Sequence, residues 1–272
     1  MRTKNHGTKV LLVLSFLLTG FQTMTFAQTA TAAAPPDPGI TVYQYRRVAG
    51  DKRDEFVKRE TTYWAEIAKK AIAKGNITFW ALLEKQGGYD MENTSNFLFI
   101  NTYKDIDKIA DVWSTAAITA SFPTVTVDKM ETYSMSTVTS TFFLRAEDWQ
   151  QAATAVAEKD FNYVSMVYHH ATQPANLIDL EKKHWGPFIK SSMDKKQVSQ
   201  VAWGNARVLS PSGPSIGVTT VSYDLYSTLK EALYPTWDPK VVLPQEGLTE
   251  IGKIETARGG AVYHIIKVVN SN

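Results

Sequence analysis

The chain has 272 residues, of which 44% are hydrophobic and 21% charged, with a formal net charge of +2 and no cysteine. This composition is typical of a globular protein, and the length suits one large domain or two of about 120 residues each. A sequence without cysteine excludes disulfides, thiol nucleophiles, Cys-ligated zinc and iron–sulfur clusters.

The first 27 residues have the pattern of a secretory signal peptide. Three basic residues precede an apolar run from Val10 to Leu18, and the segment ends in Thr25-Phe26-Ala27. The apolar run is shorter than the ~20 residues that span a bilayer as a helix. We therefore expect cleavage before Gln28 and export to the periplasm or the medium, as in an exported protein of bacterial type.

Removal of this segment changes the charge of the mature chain. Three of the 29 basic residues are lost, which leaves 26 against 27 acidic residues. Without an excess of positive charge the sequence predicts no nucleic-acid partner, and no later segment is long and apolar enough to predict stable membrane insertion. Residues 28–39 are small and proline-rich, and we predict that they form a disordered tether.

Six of the seven tryptophans recur in two halves of the chain at nearly constant spacing. Tyr103 follows Trp80 by 23 residues, and Tyr226 follows Trp203 by the same number. The tryptophan pairs are separated by 121, 123 and 124 residues: Trp64 and Trp185, Trp80 and Trp203, and Trp113 and Trp237. A repeat of this length predicts two tandem copies of one domain.

The predicted elements have the same order in both halves. Hydrophobic patterning predicts strand 41–48, helix 51–74, strands 77–85 and 96–103, helix 105–117 and strand 137–145, then strand 162–169, helix 174–193, strands 198–209 and 216–225, helix 228–234 and strand 261–269. The order βαββαβ is that of a ferredoxin-like domain. We place repeat 1 at residues 40–146, a connector at 147–161 and repeat 2 at 162–272.

In this element order and duplication, the chain after residue 39 resembles the dimeric α/β-barrel superfamily in its tandem, pseudo-dimeric form. The resemblance implies an α+β fold in which two ferredoxin-like repeats pack sheet to sheet as one barrel within a monomer. The superfamily includes small-molecule monooxygenases, haem-dependent enzymes, lactone isomerases and proteins without a known role. Membership therefore does not select a reaction.

Large aromatic and polar residues share one face of several predicted strands. Alternate residues of a strand lie on the same face, and we predict that this face lines a small-molecule pocket inside the barrel. The predicted ligand-binding residues are Trp80, Trp203, Tyr103, Tyr226, Asn101 and Asp224. The alternative is a solid barrel in which the aromatic side chains only pack.

The two halves differ at matching positions that carry titratable groups. The first predicted strand ends in Arg46 and Arg47 in one half and in His169 and His170 in the other, and His184 lies on the following helix. Imidazole suits acid–base chemistry near neutral pH, and arginine binds anionic groups. We predict His170, His184 and Arg46 as catalytic residues, although the strand register decides whether Arg46 and His170, or Arg47 and His169, point inward.

The leading functional hypothesis is an exported protein that binds a small apolar or aromatic molecule and acts as a cofactor-independent oxygenase or isomerase. One alternative is a haem- or metal-dependent enzyme, with a haem ligand among His170, His184 and His264. Another is a non-catalytic binding or structural module. The sequence predicts no metal site, and the cofactor, if the protein uses one, stays unknown.

Overall fold

The computed structural model describes residues 37–88, 94–212 and 217–270, without the side chains of residues 257 and 258. The predicted signal peptide and residues 28–36 of the predicted tether lie outside the described residues.

Eight β-strands of the described residues form one sheet. They are β1 (Ile40–Val48), β2 (Ile77–Gly88), β3 (Phe97–Tyr103), β4 (Ser136–Gln151), β5 (Tyr163–Ala171), β6 (Ala202–Ser210), β7 (Thr220–Tyr226) and β8 (Glu255–Asn270). All pairs are antiparallel, and the strands close into a barrel in the order β1-β3-β2-β8-β5-β7-β6-β4. The predicted mixed α/β class with an antiparallel sheet is confirmed.

In the described part of the chain, ten short α-helices lie between the strands. They are α1 (Arg53–Arg59), α2 (Ala65–Ala73), α3 (Ile109–Val112), α4 (Thr115–Ser121), α5 (Val127–Met130), α6 (Ala157–Asp160), α7 (Pro174–Leu180), α8 (Gly186–Asp194), α9 (Leu229–Leu233) and α10 (Gln245–Ile254). One π-helical turn, Glu60–Trp64, joins α1 to α2, and another, Glu181–Trp185, joins α7 to α8. Within the described residues, no helix combines the length and the apolar character needed to cross a membrane.

The two halves join through their sheet edges. Each half has its four strands in the same order, β4-β1-β3-β2 in the first and β8-β5-β7-β6 in the second. β2 pairs with β8, and β4 pairs with β6, so hydrogen bonds close the ring. β4 and β8 reach 16 residues and extend beyond the predicted ranges 137–145 and 261–269, because each pairs with its own half along one part of its length and with the other half along the next.

Apolar side chains fill the interior of the barrel. Three tyrosines meet there, since the hydroxyl of Tyr168 lies 3.3 Å from that of Tyr45 and 3.4 Å from that of Tyr263. Small or aliphatic residues surround them, among them Ala81, Leu83, Leu98, Leu144, Val164, Met166, Ala202, Ala206, Val221 and Ala261. An eight-stranded barrel is just wide enough for its own side chains, and this interior is a packed core.

Candidate functional site

The strand faces are oriented opposite to the sequence prediction. Trp80, Tyr103, Trp203 and Tyr226 were expected inside the barrel, and this expectation is wrong. Trp80 and Tyr103 belong to the core between the outer sheet face and the helices of the first half, and Trp203 packs against α8. Tyr226 follows the inward-facing Leu225 and points to the outer side.

The packing of the barrel interior explains this inversion. The narrow interior accepts the small side chains that alternate with the tryptophans, such as Ala81 and Ala202. Gly204 shows the constraint directly, because a Cβ atom there would lie 2.5 Å from the ring of Tyr223. Aromatic rings of other strands, such as those of Tyr45, Tyr168 and Tyr263, fill the rest of the interior. Trp80 lies beneath the helices, where Phe56 and Trp64 contribute to the same core.

A cavity of about 200 Å³ lies between the outer sheet face and the helical layer of the first half. We call it the first-half pocket. Four of the predicted site residues, Arg46, Trp80, Asn101 and Tyr103, line it together. Glu60, Trp64, Phe99, Trp113, Thr132 and Tyr133 also contribute to its wall. The structure therefore brings these four predicted residues together, on the side of the sheet opposite to the one expected.

Glu60 is a carboxylate buried in the wall of this pocket. It is the first residue of the π-helical turn Glu60–Trp64, and its Oε1 accepts a hydrogen bond of 2.7 Å from the Thr132 hydroxyl. Burial raises the pKa of Glu60 to about 7, while the Thr132 hydrogen bond and the charge of Arg46 act in the opposite direction. Glu60 therefore exchanges a proton near neutral pH, as a general acid or base must.

Arg46 places a cation in the same pocket. Its guanidinium carbon lies 4.7 Å from the centre of the Phe99 ring, its Nε donates to Gln44 at 2.8 Å, and its Nη1 donates to the Ser136 hydroxyl at 3.4 Å. Burial lowers the pKa of Arg46, and the negative charge of Glu60 partly opposes this shift. The guanidinium stays charged at neutral pH and is oriented by an aromatic face and two hydrogen-bond acceptors.

The remaining wall combines aromatic surface with a few polar atoms. The Trp113 indole donates a hydrogen bond of 2.7 Å to the Tyr103 hydroxyl, and burial raises the pKa of Tyr103 to about 12. The Trp64 indole is held by the Met130 carbonyl at 2.9 Å. Asn101 is only 8% exposed, and its Oδ1 has no hydrogen-bond partner in the described structure. An apolar wall with a few convergent polar groups is typical of a small-molecule site.

The corresponding position of the second half holds a compact polar cluster. His169 is 2% exposed, with Nδ1 2.7 Å from Glu255 Oε1 and Nε2 2.7 Å from the Ser222 hydroxyl. Glu181, which begins the second π-helical turn, lies 4.0 Å from His169 Nε2 and accepts a hydrogen bond of 2.9 Å from Asn205. Hydrogen bonds thus connect buried side chains where the first half has a pocket.

The structure does not bring the predicted histidines to Arg46. The residues that face the helical layer at the end of the first strand of each half are Arg46 and His169, since Tyr45 and Tyr168 before them point into the barrel. His170 and His184 do not line the first-half pocket. His184 is packed against α10, where a Cβ atom on Gly247 would come within 2.4 Å of it.

Two further predictions concern residues of the second half. Asp224 accepts a hydrogen bond of 2.6 Å from Gln200, and Tyr226 is buried. Neither lines the first-half pocket. The one signal for the missed Glu60 was its spacing, because Glu60 precedes Trp64 by four residues as Glu181 precedes Trp185.

The first-half pocket does not fit the hypothesis of a haem bound by one of the three candidate histidines. None of His170, His184 and His264 lines it, and the His264 ring instead packs 5.1 Å from the Tyr163 ring. Its volume also lies below the ~300 Å³ at which pockets for drug-sized ligands begin. In the part of the chain that the structure describes, no three His, Asp or Glu side chains are grouped to hold a metal ion.

Comparison with known proteins gives structural relatives only. No family model and no curated protein matches the sequence. The structure is similar to a candidate monooxygenase from Lactobacillus acidophilus NCFM (TM-score 0.56, 11% identity, 86% of this chain and 96% of that chain). A candidate monooxygenase from Fusobacterium nucleatum gives a TM-score of 0.55 at 7% identity, over 86% of this chain and 94% of that chain. An anthrone oxidase-like protein gives a TM-score of 0.50 at 12% identity, over 86% of this chain and 94% of that chain. The chain therefore has the fold of the dimeric α/β-barrel proteins.

Proposed function

We propose that the chain binds a small, largely aromatic molecule in the first-half pocket and removes a proton from it, with Glu60 as the general base. The observation that carries this proposal is a buried carboxyl with a pKa of about 7 in an aromatic pocket that also holds a guanidinium. A strongly shifted carboxyl in a cavity is a recognised mark of a functional site.

The chemistry follows from the positions of the two charged groups. Ionised Glu60 accepts a proton from an acidic C–H or O–H group of the ligand, and the positive charge of Arg46 stabilises the anion that forms. Aromatic walls exclude water and strengthen both effects. The anion then either reacts with dioxygen or regains a proton at another atom, so the proposal is a cofactor-independent oxygenase or isomerase.

Anthrone is a suitable probe, because one structural relative is an anthrone oxidase-like protein. Proton removal is measured without oxygen, as exchange of the acidic methylene hydrogens of anthrone with D2O by NMR. In air, anthrone and dioxygen give anthraquinone and water, and an oxygen electrode measures consumption. We expect the chain to accelerate exchange and Glu60→Gln to slow it about 100-fold.

Glu181→Gln is the matched control, because Glu181 begins the equivalent turn of the second half and does not line the pocket. It should leave the exchange rate within about two-fold of the unmodified chain. Exchange that is no faster than in buffer, or a Glu60→Gln chain as active as the original, would refute the assignment of Glu60.

The duplication supports a second proposal on architecture. We propose that residues 40–146 and 162–272 are tandem ferredoxin-like repeats that form a pseudo-dimer within a monomer. The identical strand orders and the two π-helical turns at matching positions support it. Light scattering of the purified chain should give the monomer mass. Either half expressed alone should dimerise or aggregate, because it leaves two sheet edges and an apolar face uncovered.

Export is likewise a proposal, supported by the basic, apolar and small-residue pattern of the first 27 residues. Mass spectrometry of the protein recovered from expressing bacteria should find Gln28 as the first residue. Recovery of a chain that still begins at Met1 would refute it.

A further inference from the structure

We infer that the substrate is an amphipathic acid, with its apolar ring in the first-half pocket and an anionic group bound by Arg47 and Lys52 in an adjoining groove. This inference rests on the proposed function and names the class of molecule that the pocket would take.

The groove is an open depression of about 780 Å³ on the surface of the first half. Tyr133 lines both the groove and the pocket. It is 59% exposed, and its ring lies 5.6 Å from the guanidinium carbon of Arg46. Ser136, on the groove wall, accepts the hydrogen bond from Arg46 Nη1. The two spaces therefore adjoin at Tyr133, and the proposed ligand would extend from one into the other past this side chain.

The described wall of the groove carries two positive charges and no carboxylate. Arg47 and Lys52 are exposed residues of its lining, and no Asp or Glu is among the described residues of that lining. Within the described residues, neither cation forms an ion pair. The neighbouring carboxylate of Glu131 accepts hydrogen bonds from the backbone and side chain of Ser134. Two free cations in a concave surface attract an anion.

The pocket and the groove differ in the charge that they favour. In the pocket, ionised Glu60 offsets Arg46, so a second full negative charge there would face a carboxylate. In the groove, hydroxyl groups accompany the two cations, among them that of Thr137. The aromatic part of a ligand therefore fits the pocket, and a carboxylate, sulfonate or phosphate fits the groove. In the second half, the position that matches Arg47 is His170, and the residues that match Lys52 are uncharged.

Two fluorescent dyes test this division, because they differ by one sulfonate. N-phenyl-1-naphthylamine is uncharged, and 8-anilinonaphthalene-1-sulfonate is an anion with the same rings. We expect the anionic dye to displace the neutral dye at a single site and to bind more tightly at low salt. Arg47→Gln/Lys52→Gln should weaken the anionic dye about five-fold and leave the neutral dye within two-fold. High salt should remove most of the difference.

Lys195→Gln/Lys240→Gln is the matched control, since it removes two exposed positive charges of the second half that lie outside the groove. It should change neither dissociation constant. If neither dye binds the unmodified chain, the pocket proposal fails. If the neutral dye binds but the Arg47/Lys52 variant binds the anionic dye as the original does, or the two dyes do not compete, the groove inference alone is overturned.

Discussion

Tyr45 and Tyr168, which are 123 residues apart in sequence, place their hydroxyl oxygens 3.3 Å apart inside the barrel. Their strands, β1 and β5, lie on opposite sides of the closed ring. The contact therefore crosses the interior, and Tyr263 approaches Tyr168 within 3.4 Å. Equivalent residues of the two halves meet at the centre of the core, which leaves the helix-covered outer faces as the places for a ligand.

Removing the Tyr168 hydroxyl should measure the strength of this central contact. Tyr168→Phe keeps the ring but deprives the buried hydroxyls of Tyr45 and Tyr263 of one partner. We expect the free energy of unfolding to fall by about 1 kcal/mol, as for a typical buried hydrogen bond, in urea denaturation followed by circular dichroism. Tyr234→Phe, on a side chain that is 75% exposed, is the control and should have no effect. Equal stabilities for the two variants would contradict the prediction.

The sequence predicts the order of strands better than their lengths. Local alternation of apolar residues locates each strand, but β4 and β8 extend to 16 residues because of pairing with the other half. Such pairing is between residues far apart in sequence, and no local pattern contains it. The helix α10 was missed for a related reason, since its packing partner His184 lies about 60 residues earlier.

The site shows a second limit of sequence reasoning. Period-two alternation assigns Trp80 and Ala81 to opposite faces without saying which face is inside. The packing of the interior against the tyrosines of other strands decides that Ala81 faces inward. Glu60 was not predicted because a single carboxyl in a helix gives no sign of its burial, and only the fold brings Arg46 and Thr132 beside it. Strand alternation suggested Trp80, Asn101 and Tyr103, and the difference between the two halves suggested Arg46, but the register of the first strand left Arg46 and Arg47 as alternatives.

Ionisation of Glu60 should lower stability as the pH rises. Its folded-state pKa, about 7, lies above the ordinary value of 4.5, so the folded chain binds this proton more tightly than the unfolded chain. The contribution is complete below pH 4.5 and is lost as the pH passes 7, which amounts to about 3 kcal/mol. Urea denaturation from pH 4.5 to 8 should show that Glu60→Gln removes this decline. Glu55→Gln, at an exposed position of α1, should retain it. The rate of proton removal from the ligand should show the opposite trend and increase as the pH passes 7.

Asn101 should contribute to ligand binding without stabilising the folded chain. Its buried Oδ1 lacks a partner in the described structure, so Asn101→Leu removes an unsatisfied polar atom and should leave the free energy of unfolding unchanged or up to about 1 kcal/mol higher. The affinity for 2-naphthol, whose hydroxyl can donate to Oδ1, should fall about five-fold by fluorescence titration. Ser140→Ala removes another buried unpartnered oxygen, outside the pocket, and should not change this affinity. A loss of affinity in both variants would count against a ligand contact by Asn101.

His169 should be the more important of the two adjacent histidines for stability. Its two ring nitrogens contact Glu255 and the Ser222 hydroxyl at 2.7 Å, and Glu181 lies 4.0 Å away, all in a buried setting. His169→Ala deprives two buried carboxylates of this partner and should lower the free energy of unfolding by about 3 kcal/mol. His169→Gln, which keeps one polar contact, should lose less. His170 has a buried Nδ1 without a partner in the described structure, so His170→Ala should cost below about 1 kcal/mol. Urea denaturation of the three variants measures the order of their free energies of unfolding. A His170→Ala chain as unstable as His169→Ala would show that the His169 cluster does not stabilise the second half.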